Sequence, residues 1–256
     1  MIWKDIKYGK TKIDKVYSGT TLIYDGTPYL CFTADENNCS IQLTNIGGAY
    51  SIDLSISTNK LDWRPYQFDS NGEGEIITLS LKNDELFWKE STSSSNPNKG
   101  KFSNSPNKYV IFKLNGKIKA SGNILSLVDE TCQTKKTSRF DNLFSGCTSL
   151  LTPPDLPATE LTINCYRNMF NSCSSLTYAP TLPAKTLAQS CYYRMFLNCT
   201  NLSQIEVGFT EWSSESNCYS DWLKGTNNTG TFICPSTLTS EYGDNRIPSN
   251  WTIVKT

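Results

Sequence analysis

A repeat with a period of 26 residues fills 139–202, and it constrains the fold more than any other feature of the chain. RFDNLFSGCTSL (139–150) aligns with CYRNMFNSCSSL (165–176) and with CYYRMFLNCTNL (191–202). A fourth, degraded copy begins at Cys218, 27 residues after its counterpart. A fixed period of this length is typical of proteins in which stacked units bury their apolar side chains against one another.

The spacing inside one repeat predicts a short helix followed by an extended segment. Tyr166, Met169 and Phe170 lie at i, i+3 and i+4, which places them on one face of a helix of about two turns. Pro180 and Pro183 would prevent that helix from continuing. We therefore predict a right-handed α/β solenoid over 139–223 with a C-terminal cap over 224–256. Its predicted core consists of Leu143, Phe144, Cys147, Leu150, Met169, Phe170, Cys173, Leu176, Met195, Phe196, Cys199 and Leu202.

The chain before the repeats has the pattern of β-structure. Short apolar or alternating runs between Asn-Gly, Gly-Gly and Asn-Asp turns predict a β-sandwich-like domain over 27–128. Residues 1–26 read as a β-hairpin that needs a partner, because an isolated hairpin is marginally stable in water. The segment 91–108 is rich in Ser, Asn and Pro and is predicted to be a mobile surface loop.

The repeat motifs Cys-Tyr-x-x-Met-Phe (165–170) and Leu-Pro-Ala (156–158 and 182–184) resemble the BspA-like leucine-rich repeats of Bacteroidetes surface proteins. They also resemble related proteins of phages that infect these bacteria, among them crAss-like phages. YLCFTA at 29–34, SGNILSL at 121–127 and IPSNWT at 247–252 extend the likeness to both flanks. The resemblance implies a leucine-rich-repeat fold and a role at a surface. VYSGTTLIYDG at 16–26 resembles a short module near the termini of phage minor structural proteins.

The ten cysteines leave three chemical readings open. Cys147, Cys173 and Cys199 form one repeat column, and Cys165, Cys191 and Cys218 form another. Side chains in one column of a stack are parallel neighbours, so buried free thiols are the favoured reading. A disulfide framework is the second reading, and a metal site is the third. The chain has no His and no Cys-x-x-Cys, which disfavours zinc.

Little in the sequence points to catalysis. Without His the commonest general base is absent, and neither a phosphate-binding loop nor a nucleophile elbow occurs. The acidic pairs Asp129-Glu130 and Glu211/Glu215 fit a solvated surface better than a glycosidase site. Lys and Arg balance Asp and Glu at 24 each, which gives no basic surplus for nucleic acid. We predict a non-enzymatic protein with no cofactor, no metal and no membrane insertion.

A ligand surface is expected where the repeats differ from one another. Arg167, Tyr178, Tyr193 and Arg194 occupy positions that vary between otherwise matching copies, and Arg and Tyr are enriched in binding surfaces. The tryptophans Trp212, Trp222 and Trp251 are expected to fill the core of the cap, with a sugar site as the alternative.

Two functions from different classes remain. The first is a virion structural protein of a phage (fibre, decoration or tail component), a homo-oligomer that docks on other virion proteins through residues 1–26. Its repeats would contact a glycan or protein of the host surface. The second is a bacterial cell-surface adhesin of the BspA-like family that binds host protein or glycan. The charged N-terminus lacks the apolar stretch of a signal peptide, which favours synthesis in the cytoplasm and assembly into a particle.

Overall fold

The computed structural model describes residues 7–8, 11–12, 15–47, 52–91, 102–105 and 107–256. Its regular structure is almost entirely β. The strands are Lys7–Tyr8 (β1), Thr11–Lys12 (β2), Lys15–Ser18 (β3), Thr21–Asp25 (β4), Leu30–Ala34 (β5), Cys39–Ile46 (β6), Leu54–Ser57 (β7), Arg64–Pro65 (β8), Ile77–Leu79 (β9), Glu85–Glu90 (β10), Ser103–Ser105 (β11), Lys108–Asn115 (β12), Ile118–Ser121 (β13), Leu150–Thr152 (β14), Gln204–Glu206 (β15), Gly230–Cys234 (β16) and Trp251–Lys255 (β17).

Two sheets form the N-terminal part of the core. One has the order β14-β13-β5-β10-β7-β8, and the other has the order β11-β12-β6-β9. Aromatic rings join them: Phe32 of β5 and Trp88 of β10 both pack edge-on against Phe112 of β12, with centroids 4.9 and 5.3 Å apart. The alternating apolar residues of these strands therefore bury one common interior, as the period-2 pattern predicts.

One local prediction in this part is wrong, and a second is wrong at one end. Residues 123–128 form one of the apolar runs that predict strands within 27–128, but Ile124–Leu127 is a 3-10 helix whose N-cap is the Asn123 side chain. Within 91–108, residues 92–101 and 106 lie outside the described residues. Phe102 is fully buried and packs against Phe140, so the end of this segment belongs to the core and not to a loop.

The prediction of an α/β leucine-rich-repeat solenoid is wrong, because the described chain contains no α-helix. The segments predicted to be helical are runs of consecutive four-residue turns, which we name turn ribbons: 140–147, 164–173, 190–199 and 217–226. The extended segment predicted after the second of these ribbons, as a strand or a polyproline-like rung, covers 176–182. It forms no regular strand, but Leu182 makes an isolated bridge with Val207, and the N–H of Ala179 donates to the carbonyl of Gln204 at 2.8 Å.

A turn ribbon is held together by two alternating kinds of hydrogen bond. In the second ribbon, the N–H of Met169 donates to the carbonyl of Tyr166 at 3.2 Å, which closes a tight turn. The intervening N–H groups leave the ribbon: that of Phe170 donates to the carbonyl of Met195 in the third ribbon at 2.9 Å. The backbone is thus satisfied half locally and half between repeats, with no helical ladder.

Every fourth residue of a ribbon has a positive φ, as at Asn164 (59°), Asn168 (53°) and Ser172 (63°). Asn tolerates this left-handed conformation better than most residues, which explains its frequency here. The resulting period of four buries two neighbouring side chains and turns the next two outward. The inward residues stack in register: Phe170 lies 5.4 Å from Phe144 and 5.5 Å from Phe196, with the rings nearly parallel.

The four ribbons stack on one another, and we name this stack with its connecting strands the turn ladder. At its C-terminal end, β15, β16 and β17 form a three-stranded parallel sheet. The predicted repeat core is buried throughout. Trp222 and Trp251 are also buried, as expected for the core of the cap, while Trp212 packs half-buried against Trp222.

Candidate ligand-binding surface

The outward columns of the turn ribbons carry the residues that vary between repeats. In the second ribbon Cys165 and Tyr166 are buried, whereas the next two residues, Arg167 and Asn168, reach the surface. One repeat later Tyr193 takes the place of Arg167, and Arg194 takes the place of Asn168. The stacking of ribbons therefore brings Arg167 directly beside Tyr193.

Three of the four predicted site residues meet here. The guanidinium carbons of Arg167 and Arg194 each lie 5.0 Å from the centroid of the Tyr193 ring. Such cation–π contacts hold long side chains in place and contribute about 0.5–1 kcal/mol each at exposed sites. We name Arg167, Tyr193 and Arg194 the arginine–tyrosine cluster. Tyr178 is exposed at a bend after the second ribbon, and no contact joins it to the cluster within the described residues.

The two arginines differ in their partners. The Nε of Arg194 lies 3.2 Å from Oδ2 of Asp221, and the Nζ of Lys224 lies 3.3 Å from Oδ1 of the same carboxylate. Arg167 has no carboxylate within ion-pair distance in the described part of the chain, and its buried Nε has no hydrogen-bond partner there. The buried Nε is closed to a ligand at the surface, but the two Nη groups of a guanidinium held in a fixed orientation suit a bidentate acceptor such as a carboxylate, sulfate or phosphate.

Sequence reasoning missed the acidic neighbours of this cluster. Asp141, one repeat before Arg167 in the same column, is fully buried and accepts from the Nη2 of Arg139 at 2.7 Å. Burial raises the pKa of the Asp141 carboxyl, and the nearby positive charges of Arg139 and Arg167 oppose that rise. The sequence could have predicted that Asp141 lies beside Arg167, because residues 26 apart stack on each other.

The cysteine columns line the interior and contribute no surface chemistry. All ten cysteines have free thiols. The Sγ of Cys173 donates to the carbonyl of Phe144 at 3.1 Å, and the Sγ of Cys199 donates to that of Phe170 at 2.9 Å. Burial raises the pKa of Cys147 and of Cys199 to about 12, so these thiols are protonated and act as small core residues.

The acidic pair Asp129-Glu130 serves the local structure. Asp129 accepts hydrogen bonds from the backbone N–H groups of Thr131, Gln133 and Thr134, and Glu130 lies 3.0 Å from the Nζ of Lys89. Across the described residues no three His, Cys, Asp or Glu side chains gather as metal ligands would. In that same part of the chain, no helix has the length and apolar character to cross a membrane.

Comparison with known proteins gives no relative: no family model, curated protein or solved structure matches the chain significantly.

Proposed function

We propose that this chain is a non-catalytic structural protein of a phage particle, a fibre, decoration or tail component that presents its turn ladder to the host surface. The observation that carries the attachment role is the contrast between the two sides of the ladder. The inward columns repeat nearly the same residues, as at Phe144, Phe170 and Phe196, while the outward columns change to Arg, Tyr and Asp. The inward positions repeat the same residue types because a close-packed core tolerates little change in side-chain volume. An outer face that is rigid but differs from repeat to repeat is suited to recognition.

The partner that best fits the arginine–tyrosine cluster is an acidic group on the host surface, carried by a glycan or a protein. No carboxylate of the described chain forms an ion pair with Arg167, and the ring of Tyr193 holds its guanidinium in place 5.0 Å from the ring centroid. Binding by a pre-oriented side chain loses less conformational entropy than binding by a mobile one.

The N-terminal hairpin is the proposed docking element. β3 and β4 pair only with each other within the described residues, and Tyr17 of β3 is 55% exposed. Residues 1–6, 9–10 and 13–14 lie outside the described residues. A two-stranded hairpin gains stability from a further strand, so we propose that a neighbouring subunit or another virion protein supplies it and that the chain is a homo-oligomer.

Mass spectrometry of purified phage particles tests the location directly. The proposal expects the chain among the particle proteins, and Tyr17→Asp should reduce its incorporation. Tyr242→Asp is the matched control, because Tyr242 is 52% exposed but lies in the cap. Absence of the chain from particles, with recovery from bacterial envelopes, would replace this proposal by the adhesin reading.

A further inference from the structure

The fourth turn ribbon ends the ladder and leaves backbone donors without acceptors. In each earlier ribbon, alternate N–H groups donate to carbonyls of the next ribbon, and the last two of these donors occupy equivalent positions. These last two donors are Phe144 and Gly146, Phe170 and Ser172, and Phe196 and Asn198, at 2.7–2.9 Å. Their counterparts in the fourth ribbon are Leu223 and Gly225, and neither N–H has an acceptor within the described chain. Unpaired backbone donors are costly unless water or a ligand satisfies them.

These two residues line a hollow of about 290 Å³ at the end of the ladder. The rest of its wall comes from the segments 226–228, 243–244 and 248–250, together with Lys224. The side chains are mostly carboxamides and hydroxyls, such as Asn227, Ser249 and Asn250. This volume lies just below the usual range for small-molecule sites, which begins at about 300 Å³, so the hollow suits a small ligand.

We propose that this hollow binds one neutral saccharide unit, whose oxygens accept from the Leu223 and Gly225 N–H groups and whose hydroxyls donate to the surrounding carboxamide and carboxylate oxygens. A sugar hydroxyl both donates and accepts, and so do the polar groups of this wall. The hollow is distinct from the arginine–tyrosine cluster, and the inference does not depend on the proposed attachment function.

The charges around the hollow favour a neutral ligand. Lys224 lies 3.3 Å from Asp221 and 3.5 Å from Asp244, and Asp221 also pairs with Arg194. Two cations therefore face two carboxylates, and the hollow offers no cation that lacks a partner. An anionic ligand would have to compete with Asp244 for Lys224, whereas a neutral sugar would keep these ion pairs intact.

The shape of the hollow favours a compact ligand over a peptide. A further ribbon or strand would need open space along the whole fourth ribbon. The cap occupies part of that space, because the side chain of Asn245 accepts from the N–H of Asp221 and the carbonyl of Arg246 accepts from Trp222 Nε1, both at 2.9 Å. The end near Gly225, which is exposed, stays open.

Saturation-transfer NMR on the full chain tests the proposal. The probes are methyl glycosides of glucose, galactose, mannose, fucose, N-acetylglucosamine and N-acetylgalactosamine, with glucuronic acid, inorganic sulfate and a blocked trialanine peptide for comparison. We expect at least one neutral glycoside to bind. Ser249→Trp and Asn228→Trp, two exposed wall positions, should each weaken that binding about tenfold or more.

The control is Thr148→Trp, an equally exposed change beside the first ribbon, which should bind like the wild type. Arg167→Gln should also leave sugar binding unchanged, which separates this site from the arginine–tyrosine cluster. The inference is overturned if no neutral glycoside binds or if both wall variants bind as well as the wild type. Preferential binding of sulfate, glucuronic acid or the peptide would also overturn it.

Discussion

The ring of Phe112 in β12 stacks on the ring of Phe144 in the first turn ribbon, with centroids 5.2 Å apart and planes 19° from parallel. The thiol of Cys147 reinforces this junction by donating to the carbonyl of Phe112 at 3.1 Å. The stack then continues through Phe170 and Phe196. One hydrophobic core therefore extends from the sheets into the ladder, and the sheets close the first end of the repeat stack.

Truncating the middle of this stack should destabilise the whole protein. We expect Phe170→Ala to lower the free energy of unfolding by about 3–5 kcal/mol, because it leaves a cavity between two rings. Tyr178→Ala, at an exposed position, should change it by less than about 0.5 kcal/mol. Urea unfolding followed by fluorescence measures both. A loss near 1 kcal/mol at Phe170 would mean that the rings are not tightly stacked.

The positive φ of Asn168 predicts how substitutions at this position change stability. Its Oδ1 has no hydrogen-bond partner, so the residue serves the ribbon mainly through its backbone conformation. Asn168→Ala should cost about 1–2 kcal/mol of stability, and Asn168→Gly should cost much less. Chemical denaturation of the two variants compares them directly. If Gly is as destabilising as Ala, the left-handed turn at this position is wrong.

The sequence predicted which side chains of the repeat are buried but not the backbone that buries them. Tyr166, Met169 and Phe170 fit the i, i+3, i+4 spacing of a helix, and they fit a four-residue turn equally well. The residues that distinguish the two are Asn164, Asn168 and Ser172, at a strict spacing of four. Asn and Ser are poor helix formers that favour turns. Their regular spacing of four residues is therefore the sequence feature that indicates turns and not a helix.

The sequence predicts which residues of the candidate surface lie together only at positions that align between repeats. Arg167 and Tyr193 are 26 residues apart, so the period itself places them side by side. Tyr178 lies in a connecting segment that the period does not align with the ribbons, and it stands apart. The hollow at Leu223 and Gly225 could not be predicted, because the cap that forms its wall has no repeat.

The thiols should react slowly in the folded protein because burial shields them, including that of Cys218, whose pKa a hydrogen bond with Cys191 lowers to about 7. Nine of the ten cysteines are buried, and burial raises the pKa of the half-buried Cys132 to about 12. Because the thiolate is the reacting species, maleimide should label the native protein slowly at neutral pH. After denaturation without reductant, intact-mass analysis should find ten labels. Two labels or fewer would instead indicate a disulfide framework.

The ion pair between Arg64 and Glu75 predicts a pH dependence of stability. Two hydrogen bonds from Arg64, at 2.6 and 2.8 Å, lower the pKa of Glu75. A carboxyl whose pKa is lower in the folded state stabilises the fold above its unfolded pKa of about 4.3 and loses that contribution as the pH falls through the folded value. The stability advantage of the wild type over Glu75→Gln should therefore shrink in acid. Urea midpoints at neutral and acidic pH check this, and a constant difference would contradict it.

Binding of the purified chain to host cells tests most directly whether the outer face of the turn ladder is the contact surface. Arg167→Gln removes the guanidinium of the arginine–tyrosine cluster, and Lys185→Gln removes one positive charge from an exposed connecting segment as the matched control. We predict that Arg167→Gln binds host cells about tenfold more weakly than the wild type, that the lost cation–π contact lowers its free energy of unfolding by no more than about 1 kcal/mol, and that Lys185→Gln binds normally. Equal binding by the wild type and both variants would contradict the assignment of this face.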